Sequence, residues 1–387
     1  MLDHVRPRTL LVAMACAIAL AAPALPQPAP PIAIGPYVQN VSANSAAICW
    51  ATVSGQVTFA PPEGEAATVR SYEVHSILLR RLQPGTTYAY DILGDGSDAG
   101  KGTFTTFPEG EQPFDFIVLG DTRSRHDIHR RIVERITAET PDLVFNTGDL
   151  VSDGRDISGW ETFFDINRDL MRSVPYYPVL GNHEKDSRFY FDFFTLPGNE
   201  RHYSFNRGPA HFVALDIDGP EIPETNQAIT KEQQERFDRY LEQYFERQLA
   251  WLQEDLAGHQ DAKYVFVFFH NPLYSVRSSR VEGAKELRAR FGTIFQDQHV
   301  TAVFSGHDHY YHRAVDGGVQ FVVTGGGGAP LYDTDAPQPE TVKFAKVEHY
   351  LRVDVGPDAA KARVIDIDGT VIDEFEMPAR VHGLPTD

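Results

Sequence analysis

Tyr176-Tyr177-Pro178-Val179-Leu180-Gly181-Asn182-His183-Glu184 is the stretch whose reading decides the fold. An apolar run of strand length stops at a glycine, and an amide, an imidazole and a carboxylate follow with no spacer. Open α/β sheets gather their chemistry at the carboxyl ends of buried strands. The same pattern recurs four times. Phe116-Ile117-Val118-Leu119 runs into Gly120-Asp121, and Leu143-Val144-Phe145 runs through Asn146 and Thr147 into Gly148-Asp149. Val265-Phe266-Val267-Phe268-Phe269 ends on His270, and Ala302-Val303-Phe304-Ser305 ends on Gly306-His307-Asp308-His309. Short runs rich in Val, Ile and Phe read as strands covered on both faces. Laid side by side and parallel, they bring Asp121, Asp149, Asn182, His183, His270, His307 and His309 to one rim. That set reads as a metal site with a titratable neighbour.

Outward from this core, strand and helix patterns alternate from Phe114 onward, which predicts an α/β layer structure. The clearest helix starts at Thr230, with Gln233 completing a capping box. Phe237, Leu241, Tyr244, Phe245, Leu249, Leu252 and Leu256 form one apolar stripe along it, read as core. Gly325 to Gly328 read either as a loop close to the site or as a plain turn. Tyr350 to Val355 and Ala362 to Asp366 read as strands, followed by a hairpin at Asp368-Gly369.

Upstream, residues 32–108 are β-rich, with half-buried alternation around Ala46 to Thr52 and Ser76 to Leu79. The run Leu82-Gln83-Pro84-Gly85-Thr86-Thr87-Tyr88-Ala89-Tyr90 resembles the tyrosine corner of fibronectin type III domains. Trp50 would be the core tryptophan of such a domain, and Cys49 beside it a small core residue. The other reading joins these strands to the main sheet. Before them, Arg6 and Arg8 precede an apolar stretch, Leu10 to Ala22, of signal-peptide length and too short to span a bilayer. Residues 1–24 read as a cleaved leader and 25–31 as a linker, which predicts a secreted or periplasmic protein without a stable membrane anchor. Cys49 would then be the sole cysteine of the mature chain, with no intramolecular disulfide available. The net charge of −19 over 387 residues repels polyanions and predicts no nucleic-acid-binding surface.

Gly120-Asp121, Gly148-Asp149, Gly181-Asn182-His183-Glu184, His270 and Gly306-His307-Asp308-His309, in that order, resemble the calcineurin-like metallophosphoesterases, in particular the branch of purple acid phosphatases. The resemblance covers about Phe114 to Asp333, and Tyr203-Ser204-Phe205 and Trp251-Leu252 also look like family wording. Each Gly-Asp alone is only a turn; five motifs in order, each ending an apolar strand, are specific. The resemblance implies a layered α/β sandwich, two sheets flanked by helices, over residues 113–380, preceded by the small all-β sandwich. It implies two divalent or trivalent ions, for which thiolate-free N/O ligands suit Fe, Mn, Zn or Co. Asp149 would bridge them, with Asp121 and His309 completing one position and Asn182, His270 and His307 the other. His183 would face the leaving group. Glu184 would either orient His183 or be a surface carboxylate.

The resemblance also implies the reaction, hydrolysis of a small-molecule phosphoester by metal-bound hydroxide, acid-phosphatase-like. A phosphodiesterase is the alternative on the same scaffold, and a binding protein with a decayed metal site is a further one. The sequence departs from the family at Arg123, where a histidine or glycine is usual, and at Ser152, where a ligand tyrosine can stand. Three readings are open. Arg123 clamps phosphate as a catalytic and substrate-binding cation; His126, Ser152 or Asp153 supplies the missing ligand; or Arg123 pairs with a nearby acid. Tyr311 and Arg313 are weaker candidates for contacting substrate. The sequence leaves oligomeric state open.

Overall fold

Two stacked β-sheets carry the site. The computed structural model describes residues 32–59, 67–92, 98–222 and 229–380, so the leader and linker read at 1–24 and 25–31 lie outside the described residues. The described residues belong to one compact unit, Pro31–Asp387. One sheet has six strands, in the spatial order Val371–Pro378, Ala359–Asp366, His349–Val355, Phe114–Leu119, Leu143–Asn146, Tyr176–Pro178. The last three are parallel to one another, and the carboxyl-terminal three join them antiparallel. The other sheet has seven strands: Thr341–Ala345, Tyr311–Asp316, Val319–Thr324, Ala302–Ser305, Tyr264–Phe268, Ala210–Ala214, Tyr203–Arg207. Its middle four are parallel.

The five apolar runs therefore do not share a single sheet. Three lie in one and two in the other, and the sheets face each other through phenylalanines. The Phe116 ring meets Phe212, Phe266, Phe268 and Phe304 edge-on, at centroid separations of 5.0–6.3 Å. Phe145 stacks on Phe268 at 3.9 Å. Side chains alternate faces along a strand, so Ile117 and Leu119 turn outward. They join the core cluster that holds Ile132 and Ile136 of helix His126–Glu139 and Leu170 of helix Ile157–Met171. Behind the other sheet, Val213, Val265, Val267 and Val303 cluster with Leu252 and Leu256 of helix Lys231–Gly258 and Phe291 and Phe295 of helix Val281–Asp297. A fully buried side chain of this size contributes about 1.5–3 kcal/mol. Strands covered on both faces have no solvent side to signal by alternation, which is why they read as continuous apolar runs.

Helix Lys231–Gly258 starts at Thr230 with both bonds of the capping box. Its stripe is core only in part: Tyr244, Leu252 and Leu256 are buried, whereas Phe237 and Leu241 in the first turns are half-exposed. At the amino-terminal end, Ile32–Gln39, Ser45–Phe59 and Ala67–Arg80 make an antiparallel three-stranded sheet, and Thr87–Asp91 pairs with Lys101–Thr105. Neither joins the two large sheets. The Tyr88 hydroxyl accepts the Gln83 N–H at 2.8 Å, the bond expected of the tyrosine corner. Cys49 is buried and free. Trp50 is not a core residue; it is half-exposed and stacks on His75 at 5.0 Å. Among the described residues no helix is long and apolar enough to cross a membrane.

Candidate metal centre

Every candidate ligand sits just beyond a strand, where the chain turns sharply. Asp121, Asp149 and His307 have φ of 58°, 56° and 65°, in the left-handed region that only glycine enters without cost. Neighbouring glycines make room for these turns. Gly148 has φ 94°, and a Cβ there would come within 2.7 Å of His270 Nδ1. A Cβ on Gly325 would meet the Asp308 carbonyl at 2.3 Å and Asp121 Oδ2 at 2.8 Å. The glycine run thus packs directly against the first aspartate loop, closer than a plain turn requires.

Two clusters of donor atoms share Asp149. In one, His309 Nε2 lies 3.3 Å from Asp121 Oδ1, and one donor atom from each of Asp121, Asp149 and His309 fits within 4.8 Å of the others. In the other, Asn182 Oδ1 is 3.2 Å from His270 Nε2 and 3.1 Å from His307 Nδ1. There the two imidazole nitrogens stand 3.3 Å apart, and His270 Nε2 is 3.2 Å from Asp149 Oδ1. Ligands about 2.0–2.1 Å from a common tetrahedral ion sit about 3.3–3.4 Å apart, so these spacings fit a cation at each position.

The ring orientations agree. His270 Nδ1–H donates to the Thr147 carbonyl at 2.7 Å and His309 Nδ1–H to the Pro330 carbonyl at 2.8 Å. Each leaves Nε2 turned inward, the usual way an outer hydrogen bond fixes a ligand histidine. Asp121 Oδ1 is buried without a hydrogen-bond partner. Lone pairs so crowded call for a positive charge between them.

Without an ion, that charge falls to a proton. Burial resists charging His270, but Asp149 outweighs it and holds the imidazole pKa well above the ordinary value. Burial likewise resists ionisation of Asp149, and His270 followed by His183 holds its carboxyl well below the usual range. Burial, then His270, pushes His307 down to about 2.

Glu184 is neither a surface carboxylate nor a partner of His183. It is fully buried, and Oε2 accepts the N–H groups of Gly181 at 2.7 Å and Asp149 at 2.9 Å. Oε1 accepts that of Leu150 at 2.8 Å. Burial and the nearby Asp149 raise its pKa to about 8, against the pull of His270 and two of those N–H groups. It ties the loop bearing Asp149 to the loop bearing Asn182. His183 is held instead by donating Nδ1–H to the Ser152 carbonyl at 2.7 Å, which brings Nε2 to 3.8 Å from Asp149 Oδ2.

Of the three readings for Arg123, the structure draws the ion pair: Nε lies 3.4 Å from Asp149 Oδ2. Ser152 Oγ donates to the Arg123 carbonyl at 2.5 Å, and Asp153 is taken by Arg155 at 3.0 Å. His126 is exposed and lines, with Arg123, a neighbouring cavity of about 200 Å³. None of these three belongs to either cluster. Tyr311 and Arg313 are not brought to the site; the Tyr311 hydroxyl donates to Asp373 at 2.7 Å and Arg313 Nε to the same carboxylate at 2.8 Å. The strand that follows His309 carries both toward the edge of the fold. Sequence reasoning missed the carbonyls of Thr147, Ser152 and Pro330, since backbone oxygens carry no residue signature.

The sequence model of the calcineurin-like phosphoesterase family matches residues 114–311, half of the chain. The chain belongs to that family. Purple acid phosphatase 18 of Arabidopsis thaliana is 24% identical over 298 residues, covering 72% of this chain and 62% of the relative. Acid phosphatase type 7 of Mus musculus is 24% identical over 269 residues, 63% of this chain and 57% of its own. The chain thus spans less than two thirds of these relatives' length. Among solved structures, the purple acid phosphatase PPD1 from yellow lupin (Lupinus luteus) seeds superposes with a TM-score of 0.67 at 18% identity, covering 89% of this chain and 74% of that one. That likeness establishes the mixed α/β fold.

Proposed function

We propose that this protein is an exported, metal-dependent phosphoesterase acting on small phosphomonoesters, in the manner of an acid phosphatase. The observation that carries the reading is the convergence of six donor side chains from two sheets on two positions sharing Asp149, with His183 alongside. Asp121, Asp149 and His309 would hold one ion, and Asp149, Asn182, His270 and His307 the other. Two ions so placed would supply an acidified water as nucleophile and would offset charge on the phosphoryl oxygens. The chain's own groups do the rest. The Ser152 carbonyl fixes Nδ1–H of His183, so a proton on Nε2 points into the site and can pass to the departing alkoxide. Arg123, at the same rim, is the cation available to the phosphoryl oxygens once a metal engages Asp149. The basic and apolar leader supports export, which amino-terminal sequencing of the mature protein would check.

The test is hydrolysis of a chromogenic phosphomonoester by metal-loaded protein, with a chromogenic diester run beside it. Chelator and Asn182→Ala should each abolish turnover. Activity indifferent to both ends the proposal, and faster diester cleavage overturns the monoester preference.

A further inference from the structure

We propose that Arg123 makes the two metal positions unequal: the one at Asn182, His270 and His307 fills first and tightly, and the one at Asp121 and His309 fills second and weakly. This rests on reading the site as a two-metal centre. The donor count already differs, four side chains including Asp149 at the first-filled position and three at the other. The shared carboxylate tips the balance further. Asp149 Oδ1 faces His270 Nε2 at 3.2 Å and accepts the His183 N–H at 3.0 Å. Asp149 Oδ2 faces Arg123 Nε at 3.4 Å. The two oxygens thus serve different masters before any ion arrives.

Arg123 is not free to leave cheaply. Its side chain is 19% exposed and Asp149 is 2% exposed, so the pair is screened only weakly from water. Arg123 Nε is buried without a hydrogen bond, and its main-chain carbonyl is fixed by Ser152 Oγ. A guanidinium does not deprotonate to make way for a metal, unlike the proton on His270. An ion entering beside Asp121 and His309 meets both a missing fourth donor and a fixed positive charge. Loss of even one outer hydrogen-bond partner weakens metal affinity about 10–100-fold, so a missing donor beside a fixed charge places the gap at the upper end of that range. Turnover would then follow the loading of the second position, making metal supply the control on activity.

The experiment is a metal titration of the chelator-stripped full chain with Mn(II), followed by calorimetry, with elemental analysis after desalting. Wild type is expected to retain near one ion per chain, with a second binding event about 100-fold weaker. Arg123→His supplies a neutral donor and should retain near two. Arg123→Met removes the charge without adding a donor, and should tighten the second event about tenfold without reaching the histidine variant. Two ions retained by wild type, or a second event unmoved by either substitution, overturns the proposal while leaving the two-metal reading intact. No ion bound at any concentration overturns both. Wild-type stoichiometry decides the matter even where a variant does not fold.

Discussion

Replacing Glu184 tests whether the metal cage is built by the protein or by the metal. The carboxylate accepts three backbone N–H groups, from Gly181, Asp149 and Leu150. All lie where water has little access, since Glu184 is fully buried. Leaving a buried donor unpaired costs about 1–3 kcal/mol, so Glu184→Ala should cost about 3 kcal/mol at the least. Glu184→Gln keeps one oxygen for two of the bonds and sets its NH₂ against the third donor, for about 1–3 kcal/mol. With an unfolding entropy of about 0.7 kcal/mol/K for a chain of this size, the alanine variant should melt at least about 4 °C lower and the glutamine variant about 1–4 °C lower. Because two of the bonds hold the Asp149 turn and the third holds the start of the Asn182 loop, metal affinity should fall about 10–100-fold alongside. Differential scanning calorimetry on metal-free protein and a chelator-competition titration measure the two effects separately. A Glu184→Ala protein with unchanged melting temperature and unchanged metal affinity would refute the reasoning outright.

Metal binding should release close to one proton per chain near neutral pH, read as heat differences between buffers of different ionisation enthalpy, because the ion must expel the proton that Asp149 stabilises on His270. The sign in the metal-free protein follows from the same pair. The raised His270 stabilises the fold fully below its unfolded pKa of about 6.5 and less as pH rises through its folded value, while the depressed Asp149 stabilises it above about 3.9 and less as pH falls through its own. This pair's contribution to metal-free stability is therefore greatest between those limits, and the gain in melting temperature on adding metal should grow with pH; a gain largest at acid pH contradicts this. His183→Gln should lower kcat about 10²–10⁴-fold with metal stoichiometry unchanged, whereas loss of metal would assign it a ligand role instead. Phe116→Ala, removing a ring that touches four others across the sheets, should cost about 3–5 kcal/mol in calorimetric unfolding with the metal positions retained.

How much of this was legible in the sequence depended on whether a residue's role was local. Asp121, Asp149, Asn182, His270, His307 and His309 were legible because each ends an apolar strand, and strand ends are local. The capping box at Thr230 was local too. The division of five strands between two sheets was not, because a strand buried on both faces looks the same in either. Tyr311 and Arg313 looked promising by nearness to His309, but a strand rises about 3.3 Å per residue, and Asp373 from a carboxyl-terminal hairpin claims both. Trp50 reads as core from its neighbours, yet its own ring is half-exposed and stacks on His75. Glu184 was the clearest misreading. Its partners are main-chain N–H groups, two of them 34 and 35 residues away, and no side-chain pattern announces them.

That misreading bears on how the site works. Asp121, Asp149 and His307 are held in conformations that cost energy, and contacts among the metal-facing donor atoms do not hold them there, since those atoms mostly repel. The restraint comes from behind: Glu184 on the Asp149 turn, the Asp149 carboxylate on the His183 N–H at 3.0 Å, and Asp121 Oδ2 on the His307 N–H at 2.9 Å. The last of these ties the two sheets together through a ligand itself. A cage supported in this way asks little reorganisation of an incoming ion, so a difference in affinity between its two positions reflects their donors and local charge rather than the cost of folding a loop. Arg123 can then be weighed directly against a missing ligand, because the backbone that presents both is already in place.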